Sequence, residues 1–471
     1  MRKSFLLTAL FAAALLTSGQ AGAYEAINGP TGLLQYDKAK AYDGYTLFTP
    51  HAKTPSWRVD KAKYPGSKTT YLIDMEGNIV HTWKHENTAM YAELLPTGNL
   101  LRAEKIPGSP VNFGGWHGLL REYSWDGEVV WEYRVSDPTK VAHHGFDRLP
   151  NGNTAILIWE YKSYEEALAK GRNPNDPALQ PNGTTGPALS PDGLPLTGIW
   201  PDAILEVTPK GEIAWEWHVW DHVGTGPDQI DINWHLPLSM GYMARADWTH
   251  WNSIRYNPKK DMYAVNSRDF GEIYFIDRKT GNIVWRFGNL STHGKGRAPS
   301  GYHDDGDQIL FGSHDIQWLP NGNISIFNNG TYQPSTNRSS VMEINPETKR
   351  IVWRYQTRDP NSFSSNFQSA AQKLPNGNWL VTSTNNGHIF EVTQDKQVVW
   401  EYINPISVDD KPHCMKRDNA PWNQVHRAFR YGRDYPAFAG RDLKPQGKLA
   451  AGCPDWTKLL EFKPASDDSG R

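Results

Sequence analysis

The sequence predicts an all-β fold, a six-bladed β-propeller of four-stranded antiparallel blades whose ring is closed by N-terminal strands. Three observations carry this. The phrase Leu-Pro-x-Gly-Asn sits between strand-like runs at Leu95–Asn99, Leu149–Asn153, Leu319–Asn323 and Leu374–Asn378, with Tyr256–Asp261 as a degenerate copy. A second phrase follows, an apolar strand, a turn and a strand ending in Trp, as from Ile204 to Trp215, Ile273 to Trp285 and Ile389 to Trp400. The tryptophans Trp83, Trp131, Trp215, Trp285, Trp353 and Trp400 are spaced by 48, 84, 70, 68 and 47 residues. About 48 residues is one four-stranded blade, and a wider interval is a blade with an insert.

The chain opens with Arg2 and Lys3, an apolar run from Phe5 to Leu16, and the small-residue site Ala21-Gly22-Ala23 before Tyr24. That order predicts a signal peptide over residues 1–23 and an exported protein. The run is too short to span a bilayer. Residues 24–67 read as an N-terminal extension, and residues 68–471 as the propeller with a C-terminal disulfide-linked segment. Within each blade, Asn-Gly between alternating apolar residues predicts a tight type I′ turn, which requires positive φ. Innermost strands begin near Met90, His144, His250, His314, Ser369 and His426. Thr69–Ile73 and Asn78–Trp83 precede the first of these and are expected to complete the last blade, which removes free sheet edges. The alternative is that Leu459–Phe462 supplies that blade's third strand.

Net charge is −2, with 20 Trp, 21 Tyr and 41 Gly. Neither nucleic acid nor an anionic membrane surface is an expected partner of so balanced a chain. The two cysteines, Cys414 and Cys453, lie outside the repeats. In an oxidising compartment they are expected to pair through its disulfide-forming machinery, two free thiols being the alternative.

Blade topology then places the polar residues. The start of each innermost strand and the turn between its second and third strands lie at one end, the top. His144 and His314 each stand five residues before the turn leucine; His426 has the same offset before Tyr431, and His250 is one position further out. The second-to-third turns bring Arg268, Arg338 and His388 to the same end. His143, which neighbours His144 with opposite side-chain direction, reads as structural, as do Glu206, Glu343 and Glu391. The loop His303–Asp307 lacks the ligand spacing of a calcium loop.

A funnel of histidines with arginine has three chemical readings. Neutral imidazole is a good nucleophile near pH 7, and arginine or protonated histidine would hold an anionic group in transfer. Several imidazoles could instead ligate iron or copper as a metal oxidase or oxygenase, although such a site wants no arginine aimed at the cation. A non-catalytic binding propeller is the third reading.

Asp247-Trp248-Thr249-His250-Trp251-Asn252-Ser253-Ile254, followed by Val265-Asn266-Ser267-Arg268, resembles the signature of bacterial arylsulfate sulfotransferases. Ser313-His314, Phe327-Asn328-Asn329-Gly330, Asn337-Arg338, His388–Val392 and Asn423–Ala428 match in order, over about residues 68 to 430. The resemblance implies a six-bladed periplasmic propeller that passes a sulfuryl group from a phenolic sulfate ester to a phenol. It implies a ping-pong mechanism through a sulfohistidine, with no cofactor and no metal. His388 matches the nucleophile, and His250, His314 and Arg338 match the residues around the sulfuryl group. Asn328 or Asn329 would stand beside them, with His144, Arg268 and His426 as substrate-binding residues. Val425 departs from the family, which has a hydroxyl-bearing residue there. The short segment before residue 68 leaves monomer and homodimer both open.

Overall fold

Each Leu-Pro-x-Gly-Asn phrase folds as a turn in which only the glycine takes positive φ, at 90° for Gly98, 88° for Gly152, 87° for Gly322 and 91° for Gly377. This corrects the type I′ expectation. Proline fixes its own φ near −65°, so Pro-x form the centre of a common turn and glycine supplies the single left-handed residue after it. The asparagine that closes the turn reaches a glutamate of the third strand. Asn99 donates to Glu122, Asn153 to Glu206, Asn323 to Glu343 and Asn378 to Glu391, at 2.6–2.7 Å. Each glutamate also pairs with a cation of the next blade: Arg148, Arg278, Lys373 and Arg430 respectively. One short phrase thus closes a hairpin and clamps two blades together.

The computed structural model describes residues 29–50, 66–111, 113–175, 198–234, 246–301, 303–416 and 423–459. The leader read over residues 1–23 lies outside them. The strands form six antiparallel blades around one axis. Blade 1 comprises Ala89–Leu94, Leu100–Lys105, Gly118–Tyr123 and Val129–Arg134. Blade 2 comprises Lys140–Arg148, Thr154–Glu160, Asp202–Val207 and Ile213–His218, and blade 3 Trp251–Asn257, Met262–Ser267, Glu272–Asp277 and Ile283–Phe287. Blade 4 comprises His314–Trp318, Ile324–Asn328, Ser340–Asn345 and Arg350–Tyr355, and blade 5 Ala370–Lys373, Trp379–Ser383, His388–Val392 and Val398–Ile403.

Blade 6 is built from both ends of the chain. Its inner strand is Val425–Gly432, followed outward by Gly44–Pro50, Thr69–Ile73 and Ile79–Lys84. The N-terminal strands therefore close the ring as expected, and Thr69–Ile73 takes the place that Leu459–Phe462 would have filled. Gly44–Pro50 comes from the segment read as an extension, so propeller strands begin before residue 68. Gly32–Tyr36, from the same segment, adds a fifth strand to the outer edge of blade 5. Gly29–Pro30 pairs with Met415–Lys416, beside the Cys414–Cys453 disulfide.

The hydrophobic core is divided among the blade interfaces. One buried cluster joins blades 1 and 2 around Phe146 and Leu205, another blades 2 and 3 around Trp251 and Tyr274, and a third blades 4 and 5 around Phe363 and Phe390. The outer-strand tryptophans pin neighbours from the rim. Indole N–H groups of Trp83, Trp285, Trp353 and Trp400 donate to carbonyls of Ser124, Pro346, Gln394 and Met75 in the next blade. Among the described residues no helix is long and apolar enough to cross a membrane.

Candidate active site

The inner strands are irregular at their upper ends. Five of the six shift register there, at Ala89/Ala92, Ala142/Phe146, Trp251/Ser253, His314/Gln317 and Val425/Ala428. His144 and His250 both have φ 44°, Asp315 φ 60°, and in blade 5 Gln368 and Ser369 have φ 53° and 80°. Side chains longer than glycine are rare in that region, and bulges of this kind re-aim residues at active sites. Nothing in local composition announces these bulges.

They bring His144, His250, His314 and His426 together around the axis. The rings of His144 and His250 meet edge to face with centroids 4.8 Å apart. His426, fully buried, packs edge-on to Tyr91 at 5.4 Å. Burial, then the neighbouring histidines His250, His143, His314 and His426, hold His144 well below the ordinary imidazole range. His314 is likewise held far down, first by burial and then by Arg268. His250 behaves oppositely. Burial opposes its charge, but Asp247 and Asp269 outweigh it and raise its pKa. Its Nδ1 is hydrogen-bonded to Asp247 Oδ2, and burial pushes that carboxyl up to about 6. The cluster therefore sets one readily protonated histidine, His250, beside two, His144 and His314, that are held neutral.

His314 has a defined tautomer. Its Nδ1 lies 2.8 Å from Asn329 Oδ1 and 2.9 Å from the Gly312 carbonyl. The Asn329 amide nitrogen donates to the carbonyls of Ser365 and Gln368, which fixes its oxygen toward His314. Two acceptors at Nδ1 require the proton there, so the lone pair is on Nε2, where it accepts the Gln368 N–H at 3.1 Å. Asn328 serves the scaffold, its side-chain oxygen accepting from the Phe311 amide.

Arg268 is the cation of the funnel. It follows the second strand of blade 3 directly, and its amide donates to the His250 carbonyl at 3.1 Å. Its guanidinium pairs with Asp269 at 2.5 Å and lies 5.8 Å from the Tyr332 ring centre. Arg338 lies at the end of the loop between the second and third strands of blade 4, its backbone packed on Gly330 and its guanidinium donating to the Arg358 carbonyl.

His388 is placed away from the funnel. It opens the third strand of blade 5, paired with Ser383 inward and Ile403 outward. Strands lie about 4.8 Å apart, so a third strand is roughly 10 Å out from the inner one. Its ring is 1% exposed, with Nε2 2.8 Å from Glu401 Oε1 and Phe390 at 4.7 Å. The expected nucleophile is thus a buried residue within blade 5, and the physical reason is radial. Turn position sets the end of the ring that a residue occupies; strand number sets its distance from the axis.

Below the histidines the channel is plugged by charge. Arg255 donates to Glu93 at 2.7 Å, to the Phe146 carbonyl and to Gln317, and stands 3.4 Å from Asp147. Arg427 lies 4.4 Å over the Tyr91 ring centre and 3.5 Å from Asp315. The site is a funnel with a floor. Asp247, Asp269 and Asp315 each sit within three residues of a funnel His or Arg and could have been suspected on that ground; Arg255 and Glu93 carry no such signal. Among the described residues no three or more His, Cys, Asp or Glu side chains are grouped to hold a metal ion.

Solved structures similar to this chain are distant. They include a protein of unknown function from Bacteroides caccae, at 13% identity over 82% of this chain and 98% of that one, with a TM-score of 0.47. A virginiamycin B lyase from Staphylococcus aureus matches at 13% over 82% and 87%, TM-score 0.39. AztD from Citrobacter koseri matches at 9% over 82% and 98%, TM-score 0.34. These likenesses lend nothing to the chemistry of the site. No curated protein matches the chain. The model of the family Arylsulfotransferase (ASST), however, matches residues 198–416, from the third strand of blade 2 through blade 5, and so takes in His250, Arg268 and His314. That match, over just under half of the chain, supports the arylsulfotransferase family and with it a transferase.

Proposed function

We propose that the protein transfers a sulfuryl group from a phenolic sulfate ester to a phenol by a ping-pong mechanism, with the sulfohistidine on His314. The observation that carries this is the His314–Asn329 pair, which holds the proton on Nδ1 and the lone pair on Nε2. In the first half-reaction Nε2 exchanges the Gln368 amide for the ester sulfur and attacks in line. The S–N bond forms, the S–O bond to the aryl group breaks, and His250 gives its proton to the departing phenolate. The sulfated ring is positively charged, and its Nδ1–H keeps two oxygen acceptors. In the second half-reaction the phenol oxygen attacks sulfur, its proton passes to His250, and the S–N bond breaks. Arg268 faces the sulfuryl oxygens; its planar fork suits them better than a lysine would. The leader read from sequence over residues 1–23 and the Cys414–Cys453 bridge support an exported, periplasmic enzyme.

With nitrophenyl sulfate as sole substrate, phenol release should stop near one equivalent, and intact mass should rise by one sulfuryl group that maps to His314. Sustained release without acceptor, and no adduct, would refute the mechanism.

The acid role of His250 has a pH signature. Its pKa in the folded protein is raised, with the two aspartates outweighing burial. Burst rates should therefore hold below that value and fall as pH rises through it. Asp247→Asn removes the nearer anion, so the fall should move down by about 1 pH unit or more. Single-turnover rates from pH 5 to 9 measure it, and an unmoved limb would assign the proton to another group.

A further inference from the structure

The loop between the second and third strands of blade 1, residues 106–117, reaches from its own blade to blade 2. Phe113 anchors it, buried with its ring edge-on to Trp159 and Trp200 at centroid distances of 5.3 and 6.3 Å. Beyond Phe113 the backbone is sewn to the bulged inner strand of blade 2. The His144 amide donates to the Gly115 carbonyl at 2.8 Å, the His117 amide donates to the Ala142 carbonyl at 3.0 Å, and Trp116 bridges to His143. Two glycines, Gly114 and Gly115, are thereby held against the rings of His250 and His144.

The two glycines differ in what requires them. Gly115 has φ 95°, and a Cβ there would stand 2.0 Å from Cε1 and Nε2 of His144. Conformation and packing both demand glycine at that position, and its backbone covers the Nε2 edge of His144. Gly114 meets neither demand. Its φ lies outside the left-handed region. Among the described residues a Cβ built on it would have one neighbour within 4 Å, Cε1 of His250 at 3.9 Å, which is an ordinary contact. A side chain could therefore stand there, and it would start at the edge of the His250 ring.

His250 is the open member of the cluster. Its side chain keeps 13% exposure, whereas His144, His314 and His426 are buried. Its Nδ1 is engaged by Asp247, so a proton is exchanged with a phenol through Nε2, the nitrogen bonded to Cε1 on its other side. A phenol oxygen within hydrogen-bond reach of Nε2, about 2.7–3.2 Å, carries its ring into the space beside that edge. We propose that Gly114 is a specificity-determining residue: the aryl ring lies on the Cε1 side of His250, and the missing side chain at position 114 sets the width of that subsite. The subsite then takes fused-ring phenols as well as single rings. Its location rests on the loop geometry, and its substrates rest on the sulfuryl-transfer reading.

The kcat/KM values of phenol and 2-naphthol as acceptors, with nitrophenyl sulfate as donor, test this in Gly114→Ala and Gly114→Leu. The ratio of phenol to 2-naphthol should rise about tenfold or more in Gly114→Leu and about two- to threefold in Gly114→Ala, as added carbons take the room of the second ring. Calorimetry of phenyl sulfate and 2-naphthyl sulfate, with each substitution placed in His314→Ala to prevent turnover, should show the Kd ratio shifting in the same order. An unchanged ratio in folded Gly114→Leu, whether both acceptors are lost equally or neither is affected, overturns the proposal. If Gly114→Leu fails to fold, the ratio in Gly114→Ala decides. A wild-type protein that transfers no sulfuryl group, with the Kd ratio still shifting as stated, would sink the functional reading and leave the subsite standing.

Discussion

His314→Ala is expected to form no sulfuryl adduct and to lose turnover by about 10³-fold or more, roughly 4 kcal/mol of transition-state stabilisation. The substitution removes the only atom to which sulfur is bonded between the half-reactions, and residual transfer would come from binding alone. The fold should survive, because Asn329 keeps its bonds to the Ser365 and Gln368 carbonyls. His388→Ala is the paired variant. Its ring sits against Glu401 and Phe390 within blade 5, so it should lose stability through a cavity and an unpaired carboxylate but still take up the sulfuryl group. Mass spectrometry after donor alone, with steady-state rates on folded protein, separates the two. A full adduct on His314→Ala, or none on folded His388→Ala, would reverse the assignment.

Arg255→Ala should cost about 3–5 kcal/mol of stability, the usual penalty for leaving buried partners of a charge pair uncompensated. Arg255 holds residues of blades 1, 2 and 4 from blade 3, through Glu93, Asp147, the Phe146 carbonyl and Gln317. The loss should depend on pH. Burial already raises Asp147 to about 6 against the pull of Arg255. Without the arginine it rises further, so the folded variant binds more protons than the unfolded chain over a wider range. Stability then falls with rising pH, and the gap between variant and wild type should widen above about pH 6. Urea unfolding at pH 5.5 and pH 8 measures it; a gap of equal size at both would mean that packing, not charge, dominates the plug.

The repeat made the ring legible from sequence, and with it the four histidines at the inner strands' upper ends. The same frame put His388 in the funnel, whereas it opens a third strand, because a turn position says nothing about radius. Arg268 follows its strand immediately and its amide meets the His250 carbonyl, while Arg338 ends a loop and turns its guanidinium to the Arg358 carbonyl. His143 shows a different limit. The bulge between Ala142 and Phe146 breaks strand alternation there, and the carboxylate beside its ring, Asp202, comes from a strand beyond a long insert. Neighbours of that kind leave no trace in spacing. The inner-strand bulges were equally hidden, since His and Asp tolerate positive φ better than most residues but a single one in a strand does not announce it.

Blade 6 makes the enzyme's activity a certificate of completed synthesis. Its three outer strands leave the ribosome first, and the inner strand Val425–Gly432 that they must pair with arrives only near the end. Arg430 joins them, bonding Thr46 across 384 residues of sequence as well as Glu391 of blade 5. Contacts that distant form last and slowly, because the chain entropy of closing so large a loop is lost before any of them stabilises the ring. Until then Gly44–Pro50 has no inner neighbour, and the nascent ring offers an open sheet edge to any strand nearby. A chain interrupted before residue 425 lacks His426 and Arg427 as well as the closing strand, and so cannot pass as a weak enzyme.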